Sequence, residues 1–248
     1  MNATTPISSA VRSELVPTGR LRAGINYGNV ILAARDMGSG ELHGVHVDLA
    51  RELGRQLGVP VDLRGRAAAG ALVEELKAGA LDVALLSFEP SRAGEISFSP
   101  AYLEIDATYL VPPGSPLFAA DDVDADGVRI AIAAKSVYEF FLVRRLKRAK
   151  LVSAPSTHAA FELFAAEKLD ALVGLRPRLV ADSEMMPGSR IVDGRFMLVE
   201  QAVASPKGRS AGAQCIREFI ESAKTSGFIA RALEANGVRG VSIASHTG

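Results

Sequence analysis

LKAGALDVALLSFEPSRAGEISFSP, residues 76–100, carries the reading that decides the fold. After Gly79, LDVALLSF (81–88) is a nearly continuous apolar run of strand length. Such a run is expected of a central parallel strand buried on both faces. Upstream, VHVDLARELGRQLG (45–58) sets Val47, Leu49, Ala50, Leu53 and Leu57 on one stripe and stops at Gly58, as a helix does. LRAGIN (21–26) and PVDLRGR (60–66) read as strands, and AAGALVEELKAGA (68–80) as a second helix. Strand, helix, strand, helix, strand, with connections long enough for right-handed crossovers, predicts a mostly parallel sheet flanked by helices.

Downstream, ISFSPAYLEIDATYLVPPGSP (96–116) runs extended, and after an acidic loop (121–127) the alternation restarts. VRIAIAA (128–134) reads as a strand. SVYEFFLVRRLKR (136–148) reads as a helix with Ser136 as cap and Glu139 completing a capping box. AKLVSA (149–154) is a strand, and residues 156–169 form a helix capped by Ser156 or Thr157. DALVGLRPRLV (170–180) begins as a buried strand and breaks at Pro177. RFMLVEQAVASPKG (195–208) returns extended, and helices close the chain. Two α/β blocks emerge, joined by extended passages that read as paired hinge strands. The expectation is two lobes with a ligand cleft between them.

Composition narrows the function. Lys plus Arg equals Asp plus Glu, 28 each, with no basic block, so a nucleic-acid partner is not expected. A single cysteine, Cys215, excludes an intrachain disulfide, and its setting AGAQCIREF reads as a small helical side chain. No apolar run reaches the length of a membrane span, so no direct membrane insertion is expected. The first twenty residues lack the apolar core of an intact secretory signal. The chain is therefore expected in the periplasm if an export signal was trimmed from it, and in the cytoplasm if it is complete.

Several residues carry candidate chemistry. Arg92 lies just beyond the central strand, where open α/β sheets bind ligands. It reads as a carboxylate clamp or as a solvated loop arginine. Lys135 and Ser136 precede a helix whose leading N–H groups suit an anion, although Ser136 is equally a plain cap. His43 and His46, with Asp48 nearby, lack the further ligands a metal needs, and no metal is expected. Neither GxGxxG nor a Walker loop is present, so no cofactor is expected; GxSxG is also absent. Glu89, His158 and Glu200 are candidate general acids if there is catalysis.

The order and spacing of these passages resemble the family 3 extracellular solute-binding proteins, the amino-acid-type binding components of ABC uptake transporters. The resemblance rests on LRAGIN, GELHGVHVDLARELGRQLG (40–58), residues 76–103, VRIAIAAKSVYEFF (128–141), EKLDALVGLRP (167–177), VASPKG (203–208) and residues 216–237. It implies an α/β fold of the type II periplasmic binding protein kind, each lobe a mostly parallel sheet flanked by helices, with two hinge strands. Lobe 1 is then expected at 20–110 plus 208–240 and lobe 2 at 111–207. Residues 1–19 are expected loose, 241–248 a tail, and the hinges near 111–113 and 203–206. The same resemblance places Arg92, Ser87, Phe88, Asn26, Tyr27 and Asn29 around the ligand from lobe 1. From lobe 2 it places Lys135, Ser136, Val137 and Tyr138, with Leu175 and Arg176. It implies a membrane permease as partner, a monomer, and reversible binding with no enzymatic step.

Two positions depart from the family pattern. Leu175 stands where the amino-acid binders carry the aspartate that pairs with the ligand's α-ammonium, and Asn26 stands where some members carry a second acid. A buried ammonium without a countercharge costs several kcal/mol as an order of magnitude. The expected ligand is thus a small carboxylate-bearing solute, either amino acid-like or, in preference, an organic acid without a free α-amino group, with Arg176 adding positive charge. The alternatives are a dehydratase-like enzyme acting on a cyclic carboxylate and a ligand-sensing module.

Overall fold

A computed structural model of the chain describes residues 7–246. The chain divides into two units: Met1–Glu104 with Glu200–Gly248, and Ile105–Val199. It passes between them inside two long strands, several residues before the expected hinge positions. The extended backbone continues beyond each crossing, and no proline marks it.

The first unit opens with α1 (Ser9–Leu15), then β1 (Leu21–Asn26), a two-residue hairpin of β2 (Ala34–Arg35) and β3 (Leu42–His43), and α2 (Val45–Leu57). It continues with β4 (Val61–Arg66), α3 (Ala69–Lys77), β5 (Val83–Ser87), a 3-10 turn (Pro90–Arg92), β6 (Ile96–Phe98) and the start of β7 (Leu103–Val111). The second unit holds the rest of β7, a 3-10 turn (Ala120–Val123), β8 (Arg129–Ala133), α4 (Val137–Arg145), β9 (Lys150–Ala154), α5 (Thr157–Ala166), β10 (Ala171–Leu175), α6 (Arg176–Met185) and β11 (Arg190–Ile191). Then β12 (Met197–Pro206) returns the chain to the first unit for α7 (Ser210–Thr225), α8 (Phe228–Ala235) and β13 (Ser242–Ile243).

In the first unit the sheet runs β4-β1-β5-β12, with β1 parallel to both neighbours and β12 antiparallel to β5. Val83, Ala84, Leu85 and Leu86 are all buried, the two-sided burial that an unbroken apolar run predicts. Leu72, Val73 and Leu76 of α3 pack with Leu81, Ala84 and Leu86. In the second unit the order is β7-β10-β8-β9, with β8 parallel to β9 and β10, and β7 antiparallel to β10. Ile130 and Ile132 join a core cluster containing Tyr138 and Leu142, whereas Ala131 joins another containing Phe164 and Leu179. The period-two alternation of a strand divides these residues between the helices on its two faces.

Three expectations change. The stretch taken as loose contains α1 where it is described, capped by the Ser8 hydroxyl, with Leu15 and Val16 buried; residues 1–6 lie outside the described residues. Glu14 accepts from the Gly212 N–H at the start of α7 (2.7 Å). Arg209 donates both to the Glu14 carbonyl and to Asp82, which also takes the Arg22 guanidinium at 2.9 and 2.7 Å. Asp82 is wholly buried and ties β1 to the approach to α7, with Arg209 extending the link to α1. The expected tail contributes β13, paired with β7 at Leu103 and Glu104; residues 247–248 lie outside the described residues. Pro177 opens α6 rather than breaking a strand, since its missing N–H costs nothing in a first turn. His46 lies at the N-terminal end of α2 and is wholly buried there.

Candidate functional site

In the first unit the carboxyl ends of β1 and β5 lie side by side, with Ile25 opposite Leu85. The turn after β1 is tightly specified. The Tyr27 N–H donates to the Arg66 carbonyl (3.0 Å), the Gly28 N–H to Asn26 Oδ1 (3.1 Å) and the Asn29 N–H to the Asn26 carbonyl (3.3 Å). A Cβ on Gly28 would fall 2.0 Å from the Ala67 carbonyl oxygen, so only glycine lets the turn pass there. Tyr27 packs over Gly65, where a Cβ would come within 3.1 Å of the tyrosine ring. Asn26, Tyr27 and Asn29 are half-buried.

Beyond β5, Ser87 and Phe88 are half-buried, and the Phe88 N–H donates to the Glu200 carbonyl (2.8 Å). The Phe88 ring meets Phe98 edge to face, 5.2 Å between centroids. Arg92 ends the 3-10 turn, its N–H donating to the Glu89 carbonyl (3.0 Å) and its carbonyl accepting from Glu95 (2.9 Å). It is half-buried, with Nη1 shut off from solvent. Glu89 is buried and accepts a hydrogen bond from the Ser91 hydroxyl. Gln201, which sequence reasoning missed, sits wholly buried opposite Ser87 in the β12–β5 register. Its Nε2 donates to Ser87 Oγ (2.9 Å), and its Oε1 accepts from Asn29 Nδ2 (3.4 Å). The first-unit residues expected around a ligand thus gather at one sheet edge, and Gln201 connects two of them. A polar residue inside the apolar run LVEQAVA was the available signal; its partner was not readable without the register.

In the second unit the carboxyl ends of β8 and β10 are adjacent, with Leu172 opposite Ala131. This gathers Lys135, Ser136 and Val137 with Leu175 and Arg176 at one edge. Ser136 caps α4, accepting from the Glu139 N–H (3.2 Å). The Glu139 carboxylate reaches back to the Lys135 N–H, one residue earlier than a standard capping box, and also accepts from the Ser153 hydroxyl (2.7 Å). Lys135 adopts a left-handed φ of 59°, an uncommon conformation for a residue with a Cβ. Tyr138 departs from expectation: it is buried in the unit's core, and burial pushes its hydroxyl pKa up to about 12 despite the nearby Arg178 and Ser136. It supports the helix from beneath. Val137 and Leu175 pack against the same core.

Arg176, expected to add positive charge, already shares Asp106. Its Nε lies 3.4 Å from Asp106 Oδ2, and its Nη2 donates to the Gly194 carbonyl (2.6 Å). Arg195 holds the other Asp106 oxygen at 3.0 Å. Asp106, also missed from sequence, thus carries two arginines.

Of the candidate acids, His158 is 69% exposed and pairs with Glu162 on the surface of α5 (3.4 Å). Burial, then Glu218, raises the Cys215 thiol pKa, which disfavours a nucleophilic thiolate. Among the described residues no three His, Cys, Asp or Glu side chains gather as a metal site, and no helix is long and apolar enough to cross a membrane.

The sequence profile of the bacterial extracellular solute-binding proteins, family 3, matches residues 21–236. The chain belongs to that family, and solute binding for an ABC transporter is the general role that goes with it. No curated protein matches the sequence. Solved structures share the fold. A putative ABC-transporter binding component from Wolinella succinogenes DSM 1740, complexed with lysine, is 21% identical with a TM-score of 0.79, covering 90% of this chain and 97% of that one. An ancestral amino acid-binding protein, a precursor of cyclohexadienyl dehydratase, is 21% identical with a TM-score of 0.78, covering 92% and 99%. An amino acid ABC transporter substrate-binding protein from Streptococcus pneumoniae, bound to L-arginine, is 21% identical with a TM-score of 0.75, covering 90% and 96%.

Proposed function

We propose that this protein captures a small carboxylate-bearing solute without a free α-amino group, outside the cytoplasmic membrane, and delivers it unchanged to an ABC-transporter permease. The carrying observation is the sheet edge of the first unit. There Arg92 stands half-buried, with Ser87 and the Asn26–Asn29 turn held in place around the same strand ends. A partly desolvated guanidinium binds a carboxylate far more strongly than one in water. The two units close on the solute, the second adding the leading N–H groups of α4.

Three observations support a ligand without an ammonium. Asn26 uses its side-chain oxygen within its own turn, Leu175 carries no charge, and Asp106 is held by two arginines. The relatives bound to lysine and arginine favour a second reading, an amino acid. Calorimetric titration with L-amino acids and their deaminated analogues separates the two. Binding of the deaminated acids with no response to the amino acids is the expected result; micromolar binding of amino acids alone overturns the first reading. Fractionation of cells expressing the full gene checks the location, with recovery in the periplasmic fraction expected.

A further inference from the structure

We infer that Gln201 is a positioning residue that commits Ser87 to donating its hydroxyl proton to the ligand, and so biases the site toward an anionic oxygen. The inference rests on the solute-binding reading and deepens it. Gln201 is wholly buried, and its amide is held at both ends. Nε2 donates to Ser87 Oγ at 2.9 Å, while Oε1 accepts from Asn29 Nδ2 at 3.4 Å. The Tyr102 N–H donates to the Gln201 carbonyl (2.8 Å) and the Ser87 pairing fixes the backbone, so the side chain starts from a rigid strand.

A serine hydroxyl has one proton and two lone pairs. With one lone pair taken by the Gln201 N–H, the proton is directed elsewhere. At the carboxyl end of β5, five residues before Arg92, a ligand oxygen is the partner such a proton suits. A carboxylate accepts it with either oxygen, whereas a carboxamide accepts it only with its carbonyl oxygen turned toward Ser87 and so loses one of its two orientations. Arg92 provides charge, whereas Gln201 provides polarity.

The experiment uses the whole chain and four probes, L-lactate, benzoate, succinate and L-arginine, each titrated against its own carboxamide. In the wild type at least one carboxylate binds more tightly than its amide. Gln201→Met leaves the volume nearly unchanged but frees the hydroxyl to rotate, and narrows that preference about 3- to 10-fold, the size of one hydrogen bond. In a Ser87→Ala background the same substitution produces no narrowing. If Gln201→Met does not fold, Gln201→Glu serves instead. Its carboxylate only accepts, draws the Ser87 proton to itself, and narrows the preference at least as much. Equal weakening of acid and amide, or narrowing that persists without the serine hydroxyl, overturns the inference while leaving solute binding intact. If none of the four carboxylates binds the wild type, the carboxylate reading of the site fails and the inference falls with it.

Discussion

His46 is a neutral imidazole sealed in the first unit, its ring set edge-on to Tyr102 at 6.3 Å between centroids. Among the described residues neither ring nitrogen has a hydrogen-bond partner, and burial lowers its pKa from 6.5 to about 3. The unfolded chain therefore binds one more proton between those values, and stability falls as pH drops through them. The slope from this residue is about 1.4 kcal/mol per pH unit, or about 2 kcal/mol between pH 6.5 and 5. Urea unfolding at pH 7 and pH 5 should show that increment in the wild type and lose it in His46→Phe. Asp82 is the opposite case, a buried carboxylate whose charge is needed. It holds Arg22 and Arg209, and its hydrogen bonds to Arg22 raise that guanidinium's pKa. Asp82→Asn removes the countercharge from two partly buried arginines and should cost about 3–5 kcal/mol in the same assay.

At the scale of elements, the second-unit edge depends on one cap. Ser136 accepts the Glu139 N–H, and Glu139 returns to the Lys135 N–H. Ser136→Ala should destabilise the protein by about 1 kcal/mol, read as a lower melting temperature. This cap was legible because its signal is local: serine, two residues, glutamate. The β5 strand was legible for the same reason, since an unbroken apolar run has few other uses. What was not legible depends on partners distant in sequence. The α1 helix is short and polar and gains its stability from Leu15 packing and from Glu14 and Arg209 at α7. Pro177 gave a stop signal that serves equally as a start, and only the following turn decides between them. Tyr138 lies one residue inside a helix that presents its preceding residues at the sheet edge, and the helical rotation turns it into the core. Gln201 and Ser87 are 114 residues apart, joined only by the β12–β5 register.

At the scale of the whole molecule, the alternation of strands and helices pointed to two units and the family resemblance to a return of the chain to the first, but neither showed where the crossings fall. They lie at Glu104–Ile105 and Val199–Glu200, within β7 and β12. An extended strand shows no sequence feature at the point where its packing partners change, so the proline-marked ends attracted the expectation instead. The central claim is that Arg92 captures a carboxylate and that the two units close on it. Small-angle scattering on the wild type and on Arg92→Ala, with and without saturating ligand from the titration panel, tests it most directly. The account predicts a smaller radius of gyration for the liganded wild type and no change for Arg92→Ala at the same ligand concentration. Equal compaction of both proteins would contradict it.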